Sequence, residues 1–183
     1  MTPDRARSSD AWITTDPVTG EVYVVYVAKD GKGVMQVWMA HSTDRGQTWS
    51  RTQVTDSGHD SAYPEVAVAI NSTVGVMYVD AEENARSTIF RHHLARSFDH
   101  GKTWITKTLQ AMDPSQLQEV LDKPFENSNQ ILWGDYEGLT AQGPVFYGVF
   151  TGASIGRRRS QLDPIFFRAS ASTELDDTNT HLK

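Results

Sequence analysis

The sequence contains no cysteine. It therefore has no disulfide framework, thiolate metal site or cysteine nucleophile. Long apolar runs are missing too, and no stretch approaches the roughly 18 apolar residues of a membrane span. The segment Met1-Thr-Pro-Asp-Arg-Ala-Arg-Ser-Ser-Asp10 carries two arginines with no apolar stretch behind them. A secretory signal needs an apolar core of about 7–15 residues, so none is expected within the chain. The expectation is a chain that is either cytoplasmic or a section of a longer, exported parent. Basic charge is in deficit, with 17 Lys+Arg against 23 Asp+Glu and a net charge of −6. A nucleic-acid partner needs a basic face, so none is expected. Phosphate-binding and dinucleotide glycine motifs are absent, as is Gly-x-Ser-x-Gly. No cofactor and no metal are expected. The adjacent His92 and His93 fall on one predicted strand, where their side chains diverge and cannot easily chelate one ion. One solvated and one packed histidine is the expectation there.

What is present is a globular composition, 38% hydrophobic and 22% charged over 183 residues. That is enough for one domain, or for a piece of a larger all-β one. An internal repeat decides between these. Ser42-Thr-Asp-Arg-Gly-Gln-Thr-Trp49 recurs 55 positions later as Ser97-Phe-Asp-His-Gly-Lys-Thr-Trp104. Both fit Ser-x-Asp-x-Gly-x-Thr-Trp.

Short β-rich runs flank each copy in the same order. The first unit has runs at 11–15, 21–28, 34–40 and 51–55, and the second at 65–70, 74–80, 88–95 and 105–109. Four strands per unit is the pattern of a propeller blade. A third, divergent unit has runs at 136–140, 145–150 and 164–170 and no box. The boundaries expected are blade 1 at about 8–56, blade 2 at about 60–110, an insert at 111–132, blade 3 at about 133–172, and a polar tail at 173–183. Within the insert, Leu117, Val120 and Leu121 share one face of a short predicted helix. An arc of about three blades leaves strand edges and faces open. The remaining propeller blades, or self-association, are expected to cover them.

The box suits the turn between a blade's third and fourth strands. Gly46 and Gly101 can supply a positive φ, and Asp44 and Asp99 can accept local backbone amides with help from Ser42 and Ser97. Trp49 and Trp104 are expected to pack between adjacent strands. These roles are structural.

The two boxes resemble the BNR/Asp-box repeats of the sialidase superfamily, and Trp133-Gly-Asp-Tyr-Glu-Gly-Leu139 resembles a segment seen in many bacterial sialidase-like proteins. The resemblance covers roughly residues 8–172. It implies an all-β, six-bladed propeller of sialidase type, of which about three four-stranded blades are present here. It also implies a ligand pocket on the face opposite the boxes. Enzymes of the family cleave terminal sialic acids with three arginines, an aspartate acid/base and a tyrosine nucleophile assisted by a glutamate. The family's Arg-Ile-Pro is absent from this chain.

Turns alternate between the two faces of an up-and-down blade. If the boxes join third and fourth strands, the opposite face collects the turns between second and third strands and the crossings between blades. Those segments are 29–33, 56–64, 80–86, 111–134 and 152–161. The candidate catalytic residues are Asp60 within these segments and Asp135, Tyr136 and Glu137 directly after 111–134. The candidate substrate-binding residues are Asp80, Arg86, Arg157, Arg158 and Arg159, since mixed charge suits an anionic sugar. Tyr136 and Glu137 are neighbours on a predicted strand, so they should point to opposite faces. The function expected is that of a carbohydrate-directed, sialidase-like propeller module with a glycan or small sugar as ligand. Two alternatives stay open: a section of an exo-sialidase or related glycoside hydrolase, and a non-enzymatic structural or protein-binding propeller.

Overall fold

A computed structural model describes residues 11–83, 88–113, 137–153, 162–172 and 178–181. The described residues form twelve strands and three sheets. Blade 1 is β1 (Ala11–Thr15), β2 (Val22–Lys29), β3 (Met35–Ser42) and β4 (Ser50–Gln53). Blade 2 is β5 (Asp60–Val68), β6 (Val74–Glu83), β7 (Thr88–Ser97) and β8 (Ile105–Met112). Blade 3 is β9 (Gly138–Gln142), β10 (Val145–Ala153), β11 (Leu162–Ser170) and β12 (Thr178–His181). Every sheet is antiparallel and keeps chain order from its first strand to its fourth. Among the first strands, β5 neighbours both β1 and β9. The chain is an all-β arc of three propeller-like blades.

Strand alternation builds the core between blades. Successive side chains point to opposite sheet faces, so Tyr23, Val25 and Val27 of β2 turn toward blade 2 and are at most 1% exposed. They pack with Val37, Met39, Val66, Val76 and Tyr78 in one cluster. A second cluster lies between blades 2 and 3, where Met77 and Leu94 meet Phe146, Phe150, Ile165 and Phe167. Close packing leaves room for no side chain at Gly75, where a Cβ would come 2.7 Å from the Phe146 ring.

The structure differs from the sequence reading at three points. The segment read as a polar tail, 173–183, supplies β12, which pairs with β11 from Arg168↔Thr178 to Ile165↔His181. Both His92 and His93 are buried, at 1% and 8% exposure. A register shift in the β7–β8 ladder falls between them, and each finds its own carboxylate. Trp49 is 47% exposed instead of packed between strands, whereas Trp104 packs against the core cluster between blades 1 and 2. The difference is one of neighbours: the second box lies against blade 1, and no described residue covers the first. The helix expected around Leu117, Val120 and Leu121 lies outside the described residues.

Candidate functional site

The boxes define one rim. Ser42 Oγ donates to Asp44 Oδ1 at 2.8 Å and accepts the Gly46 N–H at 2.8 Å. Asp44 accepts the Thr48 N–H at 2.8 Å and the Thr48 hydroxyl at 2.6 Å. The second box repeats this with Ser97, Asp99, Gly101 and Thr103. Gly46 and Gly101 hold φ of 86° and 83°, where a Cβ is strained. Hydrogen bonds from Thr48 and Ser42 hold the Asp44 carboxyl down at about 2. For Asp99, partial burial works upward, but hydrogen bonds from Thr103, Ser97 and Lys102 prevail and hold it at about 2 as well. The box carboxylates stay ionised and engaged in their own turns, which leaves them no proton chemistry near neutrality.

The opposite rim carries a cavity of about 270 Å³ lined by Met35, Asp60, Ser61, Tyr63, Asp80, His92 and Glu137, among others. The ends of β2, β6 and the starts of β3, β5, β7 and β9 converge there. Asp60 is exposed, and its Oδ1 accepts the Met35 N–H at 2.8 Å, tying the start of β5 to blade 1. Tyr63 has a φ of 51° and sits in the register shift between Ala62 and Glu65. Bulges of this kind bend a strand and re-aim its side chains.

Asp80 is 4% exposed. Its Oδ2 lies 3.0 Å from His93 Nε2 and its Oδ1 3.8 Å from Arg91 Nη1. Arg91 also pairs with Glu82. Glu137 Oε1 lies 2.8 Å from His92 Nε2, and the His92 ring stacks on Phe150 at 4.3 Å between centroids. Ser61 Oγ, Asp80 Oδ1 and Glu137 Oε2 are buried without a hydrogen-bond partner. All three residues line the cavity. Buried polar atoms are ordinarily satisfied, and these three, unpartnered among the described residues, lie behind the wall of one cavity.

Glu65 adds the group that sequence reasoning missed. It is 5% exposed and lines a second cavity, about 360 Å³, between β1, β5 and β9. Burial pushes its carboxyl up to about 7, the Glu137 charge adds to the rise, and a backbone hydrogen bond from Leu139 opposes it. Glu65 is thus a buried carboxyl that holds its proton well above the usual carboxylate range. The one signal in the sequence was its place in Tyr63-Pro-Glu65, at the start of a blade's first strand.

The structure thus brings Asp60, Asp80 and Glu137 to one cavity. Asp135, Tyr136, Arg86, Arg157, Arg158 and Arg159 lie outside the described residues. Among the described residues no group of three or more His, Asp or Glu could hold a metal ion, and no helix is long and apolar enough to cross a membrane.

The arrangement has a solved counterpart. A thermostable family-43 glycoside hydrolase, a five-bladed propeller type, matches with a TM-score of 0.52 over 93% of this chain, at 14% identity. The fold is propeller-like. The chain spans 54% of that enzyme's length, so the likeness concerns an arc of it. No protein-family model matches the sequence, nor does any curated protein sequence.

Proposed function

We propose that this chain is a carbohydrate-directed propeller module of glycoside-hydrolase kind, related to the Asp-box sialidase-like propellers, with its sugar site on the rim opposite the boxes. The observation that carries the reading is the carboxyl pair. Burial raises the Glu65 carboxyl to about 7 in the cavity between β1, β5 and β9, where the charge of Glu137 is felt, and Glu137, paired with His92, lines the cavity on the rim opposite the boxes. Glycosidic cleavage asks for one carboxylic acid to protonate the leaving oxygen and one carboxylate to act at the anomeric centre or on water. Glu65 has the protonation state of the first. Glu137, oriented by His92, is the candidate for the second.

Three further features support a sugar. Ser61, Asp80 and Glu137 line the cavity and are of the residue types that bind hydroxyl groups, which both donate and accept. Asp60 stands exposed at the same cavity. The fold neighbour is a glycoside hydrolase. Sialic acid in particular would need cations for its carboxylate, and Arg86 and Arg157–Arg159 are the candidates for that part.

The test is turnover of a panel of fluorogenic glycosides, sialosides included, by the full chain and by its Glu65→Gln and Glu137→Gln variants. Hydrolysis of at least one substrate is expected, falling by roughly 10²–10⁴ in each variant. Glycan binding on an array without turnover would leave a binding module. Neither binding nor turnover would remove the carbohydrate reading.

A further inference from the structure

We infer that the outer face of blade 1 is the seat of a further Asp-box-type blade, one that presents a carboxylate where this chain has Glu21. The inference stands on the repeat and is independent of the proposed sugar site.

Blade 2 shows what occupies such a face. Val66, Val76, Tyr78 and Ala95 are at most 6% exposed and share a core cluster with Tyr23, Val25 and Met39 of blade 1. Strand register carries these positions onto blade 1. Val76 pairs with Ala95, and Val24 pairs with Ala40; each alanine stands two residues before its box serine. Val66 pairs with Val76, and Ile13 pairs with Val24. Tyr78 pairs with His93, and Tyr26 pairs with Trp38. Ile13, Val24, Tyr26 and Ala40 are therefore the counterparts of four buried residues, yet none of them is buried. Ile13 is 65% exposed, and Trp49, the counterpart of Trp104, is 47% exposed. Arg51 lies over Trp38 and Tyr26 and leaves Ile13 and Trp49 bare. An apolar set of this kind, repeated in register with a packed one, is an interface lacking its other half.

Charge selects the occupant. His100 of the second box lies 2.9 Å from Glu21 Oε2 on the blade it docks against. In the first box the same position is Arg45, and both residues hold a φ of 60°. A blade with an acid at the Glu21 position would meet Arg45 as Glu21 meets His100. A second copy docking through blade 3 does not fit. Counting from Phe146↔Ala169, the counterpart of Val24↔Ala40, it offers Gly143 in place of Glu21 and the exposed Arg168 in place of Met39. It would bring that arginine toward Arg45 and Arg51.

The test joins a copy of residues 11–59 ahead of the full chain and follows hydrogen exchange by mass spectrometry. Exchange over β1–β4 of the original blade should slow about 10-fold, and acrylamide quenching of Trp49 should fall. Glu21→Arg in the added copy should undo this protection, and Arg45→Glu in the original blade should restore it. Unchanged exchange in blade 1 while β5–β8 stay protected would overturn the inference, and so would indifference to the charge swap. A free chain that elutes as a dimer with Trp49 protected would overturn it too, by making a second copy the occupant.

Discussion

His100 Nδ1 and Glu21 Oε2 lie 2.9 Å apart, which fastens the turn of one blade to the sheet of the blade before it. The same oxygen accepts the Tyr23 hydroxyl at 2.7 Å and lies 3.0 Å from His41 Nε2. The Tyr23 and His41 rings stack at 4.4 Å. Partial burial opposes ionisation of Glu21, but these three hydrogen bonds outweigh it and lower its carboxyl below the usual range. Glu21→Gln should therefore cost about 1 kcal/mol, as expected for a charge-assisted network that is partly solvated. The loss should be read from urea midpoints at pH 7. It should shrink toward zero as the pH falls through the lowered carboxyl pKa, because the wild-type advantage exists only while Glu21 is ionised.

The Asp99 and Asp44 carboxyls, both held at about 2, confer stability that is present above about pH 3.8 and lost as the pH falls toward 2. Asp99→Asn should flatten the acid limb of the stability profile. It should also lower the melting midpoint more than Asp44→Asn, because the second box is lodged against blade 1 and the first is not. Thermal melts of both variants at pH 7 and pH 3 test this.

Glu65 carries the opposite sign. Its folded-state value of about 7 exceeds the ordinary 4.5. Its contribution to stability is complete below about pH 4.5 and is lost as the pH rises through about 7. Urea midpoints of the wild type should fall between pH 5 and pH 8, and those of Glu65→Gln should fall less. An equal slope in both would show that the buried carboxyl titrates normally.

Gly75→Ala should destabilise by about 1–3 kcal/mol, because the added methyl meets the Phe146 ring. Gly31→Ala, with nothing within 4 Å of its Cβ and an ordinary φ, is the neutral control. Calorimetry should show the loss at Gly75 only.

Much of this architecture was legible because the repeated Ser-x-Asp-x-Gly-x-Thr-Trp box is a local code. Ser, Asp, Gly and Thr satisfy one another within eight residues, so the motif marks blade turns without any tertiary information. The strands around it alternate clearly, as in Val22–Lys29. What escaped was whatever depends on a neighbour. Trp49 and Trp104 read identically, and only the presence of a blade beside one of them separates their burial. Thr178–His181 has no apolar alternation, since its pairing with β11 rests on backbone hydrogen bonds. Glu65 looked like an ordinary polar residue at a strand start, because its raised carboxyl arises from burial and from Glu137, which β9 brings in from far along the chain.

Each sheet is built from four consecutive strands, and this shapes how the chain comes off the ribosome. Pairing partners are close in sequence, so each blade can close soon after it emerges. The latch from His100 to Glu21 waits until the second box has been made. Until then Tyr23, Val25 and Met39 of blade 1 lack the blade 2 residues they pack against, so the face between the two blades closes only once the second repeat is complete.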